Sequence, residues 1–321
     1  MRRSLICITG CAGFIGSSLA SKLLRRNFTI IGIDNFASNY PQKYKQENIN
    51  LLLEYPNFYF HKVDILDKSK ISNIFSKYLP KTVFHLAALT GVRQSLRQTK
   101  KYFENNVVGV KNIYQISKHA NVEQFIFTSS SSVYGNSSLV PFEEKQILTP
   151  QSPYAKTKQQ GEYVLQELYN TNRIPLIILR LFSVYGPKSR PDLAPYIFTK
   201  AAFHGKKIDQ FGDGNSARDY TYIDDVLNAL CVCLYQKSQF EILNIGNSHP
   251  IKLKDMIMHI EKYTGKIIKK QIKSSRSEEA IITYANNSKA YKTLKWQPKI
   301  NFDSGIKQFI DWYKTTRLQQ E

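Results

Sequence analysis

The sequence is poor in the features that mark several protein classes. Its 321 residues include four cysteines, Cys7, Cys11, Cys231 and Cys233. Cys7 falls in a predicted strand and Cys11 in the turn after it. Cys231 and Cys233 lie in a helix-like run, where residues two apart do not face each other. This spacing builds neither a disulfide framework nor a zinc site, which points to a reduced, cytoplasmic protein without a metal. No apolar run approaches the ~20 residues that span a bilayer, so no membrane is expected. The opening "MRRSLICITGCAGFIG" imitates a signal peptide, but its apolar run is too short and ends in a glycine pattern. There is no internal repeat and no low-complexity linker. Acidic residues are scarce, 25 Asp and Glu against 45 Lys and Arg, for a net charge of +20. The lysines are scattered, with no arginine-rich stripe and no nucleic-acid motif, so no specific nucleic acid is expected. Such charge bears on solubility and on anionic substrates rather than on fold.

What is present is a regular alternation. β-Branched apolar runs take turns with stretches of helical periodicity. "SLICITG", "FTIIGID", "NFYFHKVDI", "KTVFHLAA", "QFIFTSSS", "PLIILRLFSVYG" and "EILNIGN" read as seven strands. "FIGSSLASKLLRRN" and "YFENNVVGVKNIYQISKHA" read as helices, and another starts at "SPYAKTK" and runs through Leu168. Continuous apolar strands separated by helices indicate a parallel sheet covered on both faces. After Gly186 the texture turns to loops, prolines and short elements. The expected fold is α/β: a Rossmann-type doubly wound parallel sheet with a smaller mixed α/β substrate domain. The expected division is 1–185 plus about 219–250 for the first domain, and about 186–218 plus 251–321 for the second.

The turn after the first strand reads Gly10-Cys11-Ala12-Gly13-Phe14-Ile15-Gly16. Glycines allow a tight turn and close approach of backbone to a pyrophosphate, which then sits at the positive end of the helix. The pattern follows a strand and opens a helix, the context that gives it meaning. The second strand ends at Asp34. A carboxylate there accepts hydrogen bonds from an adenosine ribose and repels a 2′-phosphate, favouring NAD over NADP. Arg25 and Arg26 lie in the preceding helix, away from a rescuing position.

The segment "QSPYAKTKQQGE" sets Tyr154 and Lys158 one helical turn apart on one face. A phenol has an unperturbed pKa of about 10 and is a poor base at neutral pH. A neighbouring ammonium stabilises the phenolate and corrects this. A hydroxyl from the end of the fifth strand can hold a substrate hydroxyl against the phenolate. The set suits removal of an alcohol proton while hydride leaves the same carbon.

The motifs "GCAGFIGSSL", "VDI", "FHLAA", "GVRQS", "NNVVG", "SSSSVYG", "SPYAKTK", "LRLFSVYGP", "RDYTYIDDV" and "LNIGN" run nearly end to end. With them the chain resembles the extended short-chain dehydrogenase/reductases of the nucleotide-sugar epimerase/dehydratase group. The resemblance implies a tightly held NAD, reduced and reoxidised within one cycle, and commonly a homodimer built through a four-helix bundle. It implies Tyr154, Lys158 and Ser130 as catalytic residues. It places Gly10, Gly13, Phe14, Ile15, Gly16, Asp34, Asn35, Asp64, Ile65, Leu86, Ala87, Ala88 and Asn106 around the cofactor, Asp64 and Ile65 at the adenine. Related 4,6-dehydratases carry an acidic pair after the catalytic Ser/Thr, and related uronate decarboxylases a glutamate before Val-Tyr-Gly. Here Ser131 and Ser132 stand there, and serine cannot supply that proton transfer at neutral pH. Epimerisation through a 4-keto sugar is therefore expected, an isomerase activity of the kind used in polysaccharide biosynthesis.

The resemblance also implies a UDP handle. Arg218 matches the diphosphate-binding arginine, Arg276 and Glu279 match an Arg-x-x-Asp pair, and Phe211 packs near the uracil. Glu279 departs from the usual Asp, and Glu278 from the usual Gly before it. "GVRQSL" and "GPKSRPD" resemble UDP-glucuronate 4-epimerases. A uronate carboxylate wants hydroxyl and arginine donors. Ser132, Ser183, Arg93 and Arg190 are the candidates, with Arg93 or Arg190 alternatively on phosphate. Thr283 stands where many galactose epimerases carry a bulky tyrosine, and a small residue there would admit an N-acetyl group. UDP-N-acetylglucosamine or UDP-glucose 4-epimerisation is thus the alternative, and an NAD-binding protein without catalysis a further one.

Overall fold

The computed structural model describes residues 5–37, 41–236, 238–274 and 280–320. Seven strands form one sheet in the order Phe240–Ile245, Leu176–Leu181, Gln124–Ser130, Thr82–His85, Leu5–Thr9, Thr29–Ile33, Phe58–His61. The register is parallel from Gln124–Ser130 across to Phe58–His61. These are the seven runs read as strands from the sequence. The central strands are apolar and covered on both faces, Leu176–Leu181 being buried at every position, while the edge strand Phe58–His61 leaves Tyr59 exposed. The sheet is a doubly wound, Rossmann-type parallel sheet. Its order reverses at Leu5–Thr9, from which the chain first builds outward to Phe58–His61 and then returns to Thr82–His85 on the other side. The crevice at the carboxyl ends of the strands beside such a reversal is where this architecture takes ligands.

The chain divides into two compact units. The first holds Met1–Val133, Pro150–Arg180 and Leu227–Leu243, and the second Tyr134–Thr149, Leu181–Val226 and Asn244–Glu321. These limits are not the expected ones near 185, 218 and 250. One reason is the run "PLIILRLFSVYG", read as a single strand. It is two, Leu176–Leu181 and Ser183–Tyr185. The second piece pairs in parallel with Ala217–Tyr222, which pairs antiparallel with Pro250–Lys252 in a separate three-stranded sheet. The other is Tyr134–Thr149, whose Phe142 exchanges backbone hydrogen bonds with Tyr284 and Asn286.

In the first unit, Ile31, Val83, Phe125, Phe127 and Ile178 from the strands pack with Val110, Ile113 and Leu165 from the helices. The helix Pro153–Asn172 starts at an N-cap: the Ser152 hydroxyl accepts from the Ala155 amide, and Pro153 takes the first position. It runs four residues beyond the expected Leu168 and stops at Arg173, which has φ of 46°. The stretch read as one helix from Tyr102 is interrupted. Thr99–Phe103 and Gly109–His119 are α-helical, and Glu104–Val108 between them is a π-turn.

In the second unit, helices Ala194–His204, Leu253–Thr264, Ser288–Leu294 and Phe302–Thr316 join the three-stranded sheet and a two-stranded parallel pair, Ile208–Phe211 with Lys270–Lys273. Tyr185 meets Tyr220, Tyr222 and Phe302 at ring-centroid distances of 5.3 to 6.0 Å. Buried Asp219 accepts the amides of Asn247, Ser248 and Ala285 at 2.6, 3.0 and 2.9 Å. Burial still raises its carboxyl to about 6. Among the described residues no helix is long and apolar enough to cross a membrane, and no group of three or more His, Cys, Asp or Glu could hold a metal ion.

Candidate active site

The glycine turn sits at the carboxyl end of Leu5–Thr9, at the reversal of the sheet. Gly10 has φ of +76° and donates to the Ile33 carbonyl at 2.7 Å. A Cβ on Gly10 would lie 2.7 Å from the Ala87 amide nitrogen, and one on Gly16 would run into the Gly10 carbonyl oxygen. Neither position accepts a side chain without moving backbone. Gly13 precedes the helix Phe14–Leu24, whose N-terminus has no side-chain cap. The amides around Phe14, Ile15 and Gly16 thus open a positive helix end suited to a pyrophosphate.

Asp34 stands one residue past Thr29–Ile33. One carboxylate oxygen accepts the Ala12 amide at 3.1 Å, and the other the Phe36 amide at 2.8 Å and the Lys45 ammonium at 3.0 Å. Lys45 is as buried as Asp34 and also donates to the Ala37 carbonyl at 2.8 Å. Asn35 donates to Asp64 at 2.7 Å, and Ile65 behind it is buried. A carboxylate at the end of the second strand was legible in the sequence; its buried cation, Lys45, was not.

Leu86, Ala87 and Ala88 follow the strand Thr82–His85. Leu86 donates to the Thr9 carbonyl and Ala87 to the Thr9 hydroxyl, so this segment is bound to the first strand's end. Asn106 lies in the π-turn. It accepts the Leu89 amide at 2.8 Å, donates to the Leu89 carbonyl at 2.9 Å, and reaches the Thr157 hydroxyl at 3.2 Å. Its amide therefore ties the loop after the fourth strand to the helix that carries Tyr154 and Lys158.

Tyr154 is part-buried, with the ring of buried Tyr102 edge-on at 6.4 Å. Lys158 is 3% exposed. Its ammonium donates to the Thr128 carbonyl at 2.7 Å and lies 4.7 Å from the centre of the Phe127 ring. Burial lowers its pKa to about 7, opposed by the Glu162 charge. His85 is fully buried and neutral, its pKa lowered to about 3 by burial and then by Lys158. Ser130 ends Gln124–Ser130 and accepts the Ser132 amide at 3.2 Å. The Ser132 hydroxyl is buried and, among the described residues, has no hydrogen-bond partner.

One turn past Lys158, Glu162 is completely buried. Arg180 grips it through Nε at 3.1 Å and an Nη at 2.7 Å, and the Ser129 hydroxyl donates to it. Sequence reasoning missed this pair. The signal was there: Tyr154, Lys158 and Glu162 follow one another at i, i+4 and i+8.

The other expected substrate residues divide between the units. Arg93 is exposed in the short helix Val92–Arg97 of the first unit. In the second unit, Ser183 is part-buried in its short strand, and Arg190 makes a two-pronged pair with Asp192. Phe211 ends Ile208–Phe211, opposite Lys273. Arg218 donates to the Ala217 carbonyl at 3.0 Å. Arg276 and Glu279 lie outside the described residues. Thr283 is buried, and its hydroxyl accepts the Asp219 amide at 3.0 Å. That bond ties the chain to a strand, a structural use that needs no N-acetyl group.

Comparison with known proteins identifies the family. A family model described as GDP-mannose 4,6 dehydratase matches residues 7–309. A UDP-glucuronate 4-epimerase of Thermodesulfobacterium geofontis is 34% identical, over 96% of this chain and 95% of its own length. The crystal structure of UDP-glucuronic acid 4-epimerase from Bacillus cereus, with UDP-glucuronic acid and NAD, superposes with a TM-score of 0.92 at 35% identity, covering 97% of this chain and 99% of that one. UDP-glucose 4-epimerase of Thermotoga maritima, with UDP-glucose, gives 0.90 at 30% identity, again covering 97% and 99%. The chain belongs to the GDP-mannose 4,6 dehydratase family of the extended short-chain dehydrogenase/reductases.

Proposed function

We propose that the protein is an NAD-dependent 4-epimerase that interconverts UDP-glucuronate and UDP-galacturonate. The observation that carries this reading is the serine run after the fifth strand. Ser131 and Ser132 stand where an elimination or a decarboxylation needs a carboxyl group, and the Ser132 hydroxyl is buried and, among the described residues, without a partner. An unsatisfied buried donor of this kind suits a substrate oxygen. The likeness to UDP-glucuronate 4-epimerases over nearly the whole chain supports the same choice.

The residues around the glycine turn fit NAD: a closed backbone cradle, an uncapped helix end and a carboxylate at the second strand. When bound there, NAD would supply the acceptor and donor for a hydride at the sugar's C4. Tyr154 takes the C4 hydroxyl proton and later gives it back. Lys158 stabilises the phenolate, and Ser130 aligns the hydroxyl. Ser132, Ser183 and Arg190 serve the C6 carboxylate; Arg218 and Phe211, with Arg276 and Glu279, serve the UDP; Arg93 serves the carboxylate or a phosphate. Oxidation at C4 makes a β-keto acid, which loses CO₂ when the breaking bond aligns with the ketone. Charge-assisted donors on the carboxylate oppose that alignment.

The protein is read as a cytoplasmic homodimer serving polysaccharide synthesis. Exposed Leu96, Phe103 and Tyr163 on the helices Val92–Arg97, Thr99–Phe103 and Pro153–Asn172 support the dimer. The test of substrate is a panel of UDP-glucuronate, UDP-glucose and UDP-N-acetylglucosamine, with products identified by NMR and mass spectrometry. UDP-galacturonate is the expected product. Far better turnover of UDP-N-acetylglucosamine would overturn the assignment.

A further inference from the structure

The buried pair behind the catalytic helix has no place in the chemistry above. Glu162 and Arg180 are 0% and 3% exposed at their side chains. A buried ion pair of this kind is weak evidence for stability, because desolvating both charges offsets much of their attraction. Hydrophobic residues would fill the same space more simply. Its placement suggests another task.

Three contacts define that placement. Glu162 follows Lys158 by one turn, so the two side chains share a helix face. Glu162 accepts from Ser129, whose neighbour Thr128 supplies the carbonyl that holds the Lys158 ammonium. Ser129 thus anchors the end of the fifth strand to the helix. Arg180, from the adjacent strand Leu176–Leu181, fixes the carboxylate by a fork that permits little rotation.

Building on the reading of Tyr154 and Lys158 as the catalytic pair, we infer that Glu162, held by Arg180 and Ser129, is a positioning residue whose buried negative charge favours the protonated form of Lys158. Among the described residues, the groups that face Lys158 come from its own helix and three strands. On its own helix they are Tyr154 and Glu162. From Thr82–His85 comes His85, which is neutral and hydrogen-bonded to the Thr9 hydroxyl at 2.8 Å. From Gln124–Ser130 come the Thr128 carbonyl and the Phe127 ring. From Leu176–Leu181 comes Arg180, which reaches Glu162. Glu162 is the one carboxylate in this set. Burial works to strip the proton from Lys158, and Glu162 opposes it.

The test compares two variants that disturb the same pair differently. Glu162→Gln keeps shape and an acceptor for Ser129 but removes the negative charge. Arg180→Lys breaks the fork but keeps both charges. The readout is kcat at saturating substrate from pH 6 to 10, in protein shown to be folded and loaded with NAD. Glu162→Gln is expected to move the alkaline fall of kcat down by about one pH unit, the size expected for a charge one helical turn away in a protein interior. Arg180→Lys is expected to leave that fall within a few tenths of its parent position. If both variants move it alike, or neither does, Glu162 has only a structural role and the inference is wrong. Should Glu162→Gln not fold, the uncharged pair Glu162→Gln with Arg180→Gln takes its place. Its fall should also lie below that of the parent, and an unmoved fall overturns the proposal. Tyr154→Phe, measured in parallel, separates the premises. If it retains turnover, the catalytic reading itself fails. If it is inactive while the pH profiles do not move, only the role of Glu162 fails.

Discussion

Replacing Lys158 with methionine should make the protein more stable while abolishing most of its turnover. Burial moves the lysine from its ordinary 10.5 to about 7. At about 1.36 kcal/mol per pH unit, the folded state at low pH holds this proton at a cost of roughly 5 kcal/mol relative to the unfolded chain. The folded pKa lies below the unfolded one, so between pH 7 and 10.5 the unfolded state binds the extra proton and stability rises with pH. Below pH 7 the whole cost is present. Methionine keeps the straight stem and removes the charge. It also loses the bond to the Thr128 carbonyl and the contact with Phe127, worth about 2–4 kcal/mol together. The variant should therefore be about 1–3 kcal/mol more stable at pH 6, and this gap should shrink by about 2–3 kcal/mol by pH 9. Urea unfolding of dinucleotide-free protein at pH 6, 7, 8 and 9, followed by circular dichroism, measures both quantities. A variant less stable than its parent at pH 6, or a gap that stays constant to pH 9, would refute the reasoning.

Other outcomes follow from the same geometry. Tyr154→Phe should fold and keep its cofactor while losing about 10²–10⁴-fold in kcat, the usual range for a general acid–base group. Protein purified without added dinucleotide should release NAD on denaturation, identified by mass; release of NADP alone would defeat the argument from Asp34. Ser132→Ala should raise KM for UDP-glucuronate and raise the yield of UDP-pentose, since the donor proposed for the carboxylate is gone; unchanged KM and product ratio would remove Ser132 from the site. Gly16→Ala should lose NAD or fail to fold, because its Cβ meets the Gly10 carbonyl; a fully loaded variant would show that the turn is looser than described.

All seven strands of the main sheet could be read in advance because continuous apolar runs admit few alternatives. The glycine turn, Asp34, and the spacing of Tyr154 and Lys158 were legible for the same reason: each is a local pattern whose chemistry requires that spacing. What was not legible depended on partners distant in sequence. Lys45 sits in a helix with Lys43 nearby, in a lysine-rich chain, and nothing local shows that this one folds onto Asp34. Arg180 lies within an apolar run, where a charge reads as an anomaly until Glu162 is placed beside it. The break at Phe182 is invisible to hydropathy, since both halves of "LIILRLFSVY" are apolar and only their sheet partners differ. The π-turn likewise leaves no mark in the periodicity of "YFENNVVGV".

That turn has a consequence for how the chain can vary by insertion and deletion. A π-turn is one residue more than an α-helix needs, and it shifts the phase of everything after it. Each residue of an α-helix advances about 100° around the axis. Removing any one residue between Glu104 and Val108 would restore a regular helix and rotate one flank against the other by about that angle. Either Tyr102 would leave its place against Tyr154, or Val110, Ile113 and Tyr114 would leave the core. Asn106 would lose its grip on Leu89 or on Thr157 in both cases. Substitutions can accumulate along this helix, but its length between Tyr102 and Val110 is locked.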